Sequence, residues 1–306
     1  MNNRPKLLFS TQHYQYLREK LLMFNTFEAG NTLYKRFPDG EVYQRITESV
    51  DGREVIIIGG TISDEDTLEL FDLACSIVNY GAISLTLVVP FFGYSTMERA
   101  VKDGEVVKAK TRAILFSAIP ETAMGNKIML MDLHSEGLPH YFEGSLRAVH
   151  VYCKPIIIEA AHECGGYNFV LASTDAGRAK WVESLANDLG VNAAFVFKRR
   201  VSGDETHITS ISAEVLGKNL VIYDDMIRTG GSLIEAAHAY RQAGAKEISV
   251  ITTHGLFVND ALQRIRETGI ISKVICTDTH PNAIALQSDF LQIKTVAGLL
   301  QEELAG

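Results

Sequence analysis

Over residues 220–240 an apolar run ends in two carboxylates, passes through two glycines and becomes a helical pattern, and few folds accept that order. The run 220–223 is short, apolar and partly β-branched, as a strand buried on both faces of a parallel sheet must be. Asp224 and Asp225 fall at its carboxyl end, where open α/β sheets take their ligands. Thr229, Gly230, Gly231 and Ser232 follow. The two glycines let successive backbone N–H groups converge on an anion that a β-carbon would obstruct. Ser232 either caps the next helix or bonds a phosphate oxygen. That helix, with Leu233, Ile234, Ala236, Ala237 and Tyr240 as its apolar positions, aims the positive end of its dipole at the same point. One site thus offers carboxylates for sugar hydroxyls or Mg²⁺ beside a nest for a phosphate. An ordinary surface turn accounts for the glycines and the serine but not for the acidic pair before them.

The same alternation runs through the chain. Short apolar runs at 54–58, 85–89, 128–131, 169–172, 194–197, 220–223, 248–252 and 273–276 read as strands, and 67–80, 106–119, 180–189 and 232–243 carry helical spacing. Strand–helix alternation predicts parallel sheets flanked by helices. The 306 residues, 46% of them hydrophobic, suffice for two cores. A strand leading into Asp132-Leu133-His134 in the first half parallels the strand leading into Asp224-Asp225 in the second. Two α/β domains are therefore expected, 1–149 and 150–289, with a final helix over 290–306 that packs back on the first.

Composition narrows the partner. A net charge of −8 argues against a general nucleic-acid surface, although Lys198, Arg199 and Arg200 form a local basic spot. No run approaches the roughly 18 apolar residues of a membrane span, and the start, MNNRPKLLFS, lacks the apolar core of a signal peptide, so a cytoplasmic protein is expected. Cys75, Cys153, Cys164 and Cys276 lie too far apart for a zinc or dithiol motif and read as reduced thiols. A small phosphorylated molecule with its metal is the expected partner.

The 221–237 segment resembles the phosphoribosyl diphosphate (PRPP) loop of type I phosphoribosyltransferases and of ribose-phosphate diphosphokinases, also called PRPP synthetases. In those proteins the acidic pair holds the ribose 2- and 3-hydroxyls and the Thr-Gly-Gly-Ser part holds the 5-phosphate. Five further segments, in order, resemble the synthetases. RFPDGEVYQRI, 36–46, matches their Phe-x-Asp-Gly-Glu stretch and implies that Phe37, Asp39 and Glu41 reach the nucleotide site of a neighbouring subunit; by itself Pro38-Asp39-Gly40 is good turn chemistry. The segment 88–110 has Thr96 and Met97 where most synthetases carry Arg-Gln, but keeps Glu98 and Arg99 as nucleotide contacts. MLMDLHSEG, 129–137, resembles their Asp-Leu-His motif, which implies that His134 binds Mg²⁺ or donates to a phosphate oxygen. LASTDAGRAKW, 171–181, implies that Asp175 lies near the metal; Thr174 stands in place of a proline and Trp181 in place of an arginine, a charge that Arg178 or Lys180 would have to replace. VFKRRV, 196–201, matches a Lys-x-Arg, so that Lys198 and Arg200 are aimed at charge developing on transferred phosphoryl oxygens. The polar stretch 202–207 after them reads as a loop that closes over the site.

The resemblance implies two tandem type I phosphoribosyltransferase-like domains, each a mainly parallel sheet flanked by helices. It implies diphosphoryl transfer from Mg·ATP, or another nucleoside triphosphate, to the 1-hydroxyl of ribose 5-phosphate, with Mg²⁺ as cofactor. Arg228 adds a cation beside the expected 5-phosphate nest, and Thr253 to Phe257 resembles the plant-type class II enzymes. A homo-oligomer, at least a dimer, follows if residues 37–41 complete a neighbour's site. Two alternatives stay open. A non-catalytic or regulatory relative is suggested by Thr96, Met97 and Trp181, and a plain phosphoribosyltransferase would keep the loop but need only half the chain.

Overall fold

The computed structural model describes residues 4–305 apart from 176, 178, 203 and 204, with the backbone alone given for 198–202 and 205–210. In chain order the first half forms β1 (Lys6–Ser10), α1 (Gln15–Leu22), β2 (Phe27–Ala29), β3 (Thr32–Arg36), β4 (Val42–Ile46), β5 (Glu54–Ile58), α2 (Asp64–Asn79), β6 (Ser84–Val89), α3 (Lys108–Ser117), β7 (Asn126–Met131) and β8 (Leu146–Val151). The second half forms α4 (Lys154–Gly165), β9 (Phe169–Ser173), α5 (Ala179–Leu189), β10 (Asn192–Ala194), β11 (Val196–Ser202), β12 (Glu205–Ile211), β13 (Asn219–Ile227), α6 (Gly231–Gln242), β14 (Glu247–Gly255), α7 (Ala261–Glu267), β15 (Ile271–Thr277), α8 (Pro281–Ala285), β16 (Leu291–Lys294) and α9 (Ala297–Ala305).

These elements divide into two units, Met1–Tyr152 with Ala297–Gly306, and Cys153–Val296. Each contains a six-stranded sheet in which every pairing is parallel, ordered β2-β1-β5-β6-β7-β8 in the first and β10-β9-β13-β14-β15-β16 in the second. The two orders are the same pattern. Each unit also carries an antiparallel hairpin between its second and third sheet strands, β3–β4 in one and β11–β12 in the other. The expected α/β class with two mainly parallel sheets is what the chain adopts.

Burial on both faces explains why these runs are strands. Ala172, Ile222, Val250 and Val274 lie in register across β9, β13, β14 and β15 and pack with Leu233, Ala237 and Tyr240 of α6. In the first unit Leu7, Ile57, Leu87 and Leu130 pack with Leu70, Leu73 and Ile77 of α2. Each such aliphatic side chain contributes roughly 1.5–3 kcal/mol when fully buried. α2 starts cleanly, since the Ser63 side chain accepts the Asp66 N–H at 3.1 Å and three acids occupy its first turn.

Four expectations of local structure need correction. The run 194–197 is not one strand: β10 ends at Ala194 and β11 starts at Val196, because the chain leaves the sheet there to form the hairpin. Within the stretch 202–207 expected as a loop, Ser202 ends β11 and residues 205–207 begin its partner strand, while 203 and 204 lie outside the described residues. Asp224 and Asp225 do not follow a strand but lie inside β13, whose ladder with β14 continues to Ile227 and Gly255. The final segment is helical only from Ala297; residues 291–294 form β16 at the edge of the second sheet, and Lys6 Nζ in the first unit donates to Leu304 O of α9 at 2.8 Å.

Candidate functional site

In the second unit the chain runs from β9 outward to β10 and returns to the other side of β9 as β13. The crevice between the carboxyl ends of β9 and β13 is therefore the switch point at which doubly wound sheets bind ligands. Thr174 and Asp175 follow β9 at this crevice, and Asp224 lies on β13 across from them. The Thr174 hydroxyl donates to Asp224 Oδ2 at 2.9 Å, and the Gly177 N–H donates to Asp175 Oδ1 at 2.7 Å. Asp225 is buried at 2% exposure. Burial, then the negative charge of Asp225, and more weakly Asp175, hold the Asp224 carboxyl well above the ordinary carboxylate range, against the Thr174 bond that lowers it. Three carboxylates around one crevice make a place where a cation or a hydroxyl donor is favourable.

The cradle follows immediately. Gly230 is the N-cap of α6 in the left-handed region at φ 77°, and a Cβ there would also lie 2.9 Å from Ile265 Cδ1. Glycine is thus required by both backbone and packing. A Cβ on Gly231 would meet no protein atom, so that position opens onto free space above the helix N-terminus. Ser232 lies within the first turn and caps nothing, because the chain enters α6 through Gly230 and no side chain bonds the helix start; of the two roles expected of Ser232, capping is not the one realised. Arg228 and Thr229 are exposed at the loop surface. The loop itself is tied down from the next crossover: Leu256 and Phe257 N–H both donate to Ile227 O at 3.0 Å, and Val258 N–H donates to Arg228 O at 3.0 Å.

Two expected cations and one candidate substitute are placed less fully. Lys198 and Arg200 lie on β11, in register with Ile208 and Thr206 of β12, and their side chains lie outside the described residues. Arg178 also lies outside them, while Lys180 is exposed on α5. Trp181 stacks on Tyr223, the residue before the acidic pair, with ring centroids 4.3 Å apart and planes at 20°, and supplies an aromatic contact rather than a charge.

In the first unit the Asp132-Leu133-His134 motif follows β7. Asp132 is 5% exposed and takes a left-handed φ of 36°, a strain of about 1–3 kcal/mol for a residue with a β-carbon. Its N–H donates to Val151 O at 3.0 Å, while His134 reaches the surface. Phe37, Asp39 and Glu41 sit on the exposed turn joining β3 to β4, closed by Phe37 N–H to Glu41 O at 2.8 Å and by Glu41 N–H to Asp39 Oδ1 at 3.1 Å. Lys35 Nζ lies 5.0 Å from the Phe37 ring centre. Between this hairpin and α2 runs a cavity of about 890 Å³, with Arg36, Gln44, Leu68 and Glu69 among its walls. Glu98 and Arg99 occupy the loop after β6, with Tyr141 Oη donating to Glu98 O at 2.6 Å.

Sequence reasoning missed three contributors. In the sequence Thr174 stands out only as a residue in place of a proline. Arg264 of α7 donates to Thr229 O at 2.8 Å and lies 3.1 Å from Asp260, so it fastens the cradle from a helix that carries no motif. His150 of β8 accepts the Leu133 N–H. Only proximity in the fold connects such residues to the motifs, and no spacing would have found them. Among the described residues no three His, Cys, Asp or Glu side chains converge to cage a metal by themselves. A metal here would share its shell with ligand oxygens and water, as Mg²⁺ ordinarily does.

Comparison with known proteins sets this geometry in a family context. Residues 6–119 match the profile described as the N-terminal domain of ribose phosphate pyrophosphokinase, and residues 170–304 match the phosphoribosyl synthetase-associated domain. The chain is 32% identical to the chloroplastic ribose-phosphate pyrophosphokinase 2 of Spinacia oleracea, over 99% of its length and 76% of the relative. It is 30% identical to the ribose-phosphate pyrophosphokinase of Ralstonia nicotianae, covering 92% and 88% of the two chains. The crystal structure of phosphoribosylpyrophosphate synthetase from Mycobacterium smegmatis superposes with a TM-score of 0.86 over 99% of this chain and 98% of that one, at 24% identity, and shares the fold.

Proposed function

The chain belongs to the ribose-phosphate pyrophosphokinase family, and on that premise we propose that it acts in the cytoplasm to transfer the diphosphoryl group of ATP to ribose 5-phosphate, giving PRPP and AMP. The observation that carries this reading is the crevice between the carboxyl ends of β9 and β13, with Asp224 and Asp225 on β13 and open space beside Gly231 at the N-terminus of α6. Asp224 and Asp225 accept the ribose hydroxyls. The backbone N–H groups from Thr229 to Ser232 hold the 5-phosphate with help from the α6 dipole, and Arg228 adds a positive charge at the rim.

In the reaction the sugar O1 forms a bond to the β-phosphorus, the bond from that phosphorus to the oxygen bridging the α-phosphorus breaks, and AMP leaves with the bridging oxygen while the O1 proton passes to water. The protein's contribution is in-line positioning and charge stabilisation. Lys198, Arg200 and His134 stabilise the transferring oxygens. Phe37, Asp39 and Glu41 complete the nucleotide site of a neighbouring copy in a homo-oligomer, and Glu98 and Arg99 contact the same nucleotide.

Asp175 and His134 are the residues assigned to Mg²⁺. The fit is supported by the like charges around Asp224, which a divalent cation relieves. When bound, Mg²⁺ neutralises the diphosphate oxygens and makes the β-phosphorus more electrophilic.

The test is an assay with ribose 5-phosphate, Mg²⁺ and each nucleoside triphosphate in turn, read by mass spectrometry, with Lys198→Ala as control. Equal amounts of PRPP and nucleoside monophosphate, lost in the control, support the reading. PRPP binding without product from any donor would turn it toward a non-catalytic relative or a transferase.

A further inference from the structure

We propose that His150, on the edge strand β8, is a positioning residue that holds the Asp132-Leu133-His134 turn in its strained form. This rests on the role given to His134 above.

The geometry starts from the register of β7 and β8, which sets Leu130 opposite His150 and Met131 opposite Val151. Just past the end of β7 the chain takes a left-handed step at Asp132. Strain of this kind persists only where the surroundings over-determine it. Two bonds from β8 do so: Asp132 N–H to Val151 O at 3.0 Å, and Leu133 N–H to His150 Nε2 at 2.9 Å. An amide can only donate, so Nε2 is the unprotonated nitrogen and the neutral ring carries its proton on Nδ1. The ring is itself held, packed on Tyr152 with centroids 4.0 Å apart at 32°.

The second unit contains the counterpart that shows what is particular here. β15 occupies the place of β7 in its sheet, and it too ends in an Asp-x-His, Asp278-Thr279-His280. Asp278 N–H donates to Lys294 O of β16 at 3.0 Å, matching the bond from Asp132 to Val151. The next amide differs. Thr279 N–H is satisfied within its own strand end by Thr277 Oγ1 at 3.2 Å, and Asp278 is not among the left-handed residues. Leu133 instead draws its acceptor from the neighbouring strand. In the first unit the turn is thus held by a side chain of the neighbouring strand, where the bond described in the second unit comes from Thr277 of the same strand end.

The experiment compares His150→Gln, which keeps an acceptor near the Nε2 position, with His150→Phe, which keeps the ring on Tyr152 but has no acceptor. Amide exchange over 132–134 is expected to be about tenfold faster in the Phe variant and near wild type in the Gln variant. The kcat for PRPP formation should fall about 10–100-fold in His150→Phe, the usual effect of losing such a supporting partner, with KM for ribose 5-phosphate unchanged and activity largely retained in His150→Gln. Equal exchange in all three proteins overturns the proposal, as does an equal loss in both variants. If the wild type makes no PRPP, the reading of the site fails, and exchange alone decides the role of His150. If His150→Phe does not fold, the N–H···N coupling between Leu133 and His150, measured in wild type with labelled leucine and histidine, decides instead, and its absence overturns the proposal.

Discussion

Thr174 and Asp224 join the two strands that flank the crevice, a hydroxyl of one bonded to a carboxylate oxygen of the other at 2.9 Å. The bond favours the ionised form of a carboxyl that burial and Asp225 push the other way. Thr174→Val removes it and sends the Asp224 pKa further up. On the role proposed for Asp224, its ionised form accepts the ribose hydroxyls, so the acid limb of kcat/KM should move to higher pH. KM for ribose 5-phosphate near neutral pH should rise about 3–10-fold, the worth of one hydrogen bond. A pH–rate profile identical to wild type would remove Thr174 from the site.

Gly230→Ala places a β-carbon at φ 77° and 2.9 Å from Ile265 Cδ1. The expected cost is about 1–3 kcal/mol, seen as a lower melting temperature. Because the same residue caps α6, binding of ribose 5-phosphate should weaken more than stability does. Calorimetry on the variant, with and without the ligand, checks both.

Arg264 supports the cradle through a backbone carbonyl, so Arg264→Ala should act on binding. KM for ribose 5-phosphate is expected to rise about tenfold with kcat little changed, the pattern of lost uniform binding. Steady-state kinetics decide, and an effect on kcat alone would contradict the assignment.

Glu69 gives a pH signature far from the crevice in sequence. Burial first, then the nearby Asp66, raise its carboxyl from 4.5 to about 7, although the Gln12 N–H donates to it at 3.0 Å. Between those two pH values the folded protein keeps a proton that the unfolded chain has released, so this contribution to stability falls as pH rises through the window and is flat above it. Glu69→Gln keeps the acceptor and removes the charge. It should be about 1–2 kcal/mol more stable than wild type at pH 8, discounted because the carboxyl is partly open to water, and nearly equal at pH 5. Denaturant melts at the two pH values test it.

The parallel α/β class, most strand positions and the glycine entry into α6 were legible in the chain because they are local. A strand buried on two faces must be an unbroken apolar run, and a left-handed helix cap must be glycine. The hairpin β11–β12 was not legible, since Lys198 to His207 reads as polar in one dimension and becomes two strands only by pairing with itself. The extension of β13 through Asp224 and Asp225 was hidden for a similar reason: a charged residue is a poor strand former until a neighbouring strand bonds its backbone.

The amino-acid order by itself thus determined the periods, the caps and which chemical groups the motifs present, each a consequence of backbone sterics and burial over a few residues. Tertiary structure alone decided which of those groups are modified and held by residues distant in sequence. Thr174 meets Asp224 because two strands 50 residues apart are neighbours, Arg264 reaches Thr229 across 35, and His150 reaches Leu133 across 17. Such contacts depend on strand order and register, which the sum of packing over a whole sheet selects and no short stretch of sequence encodes.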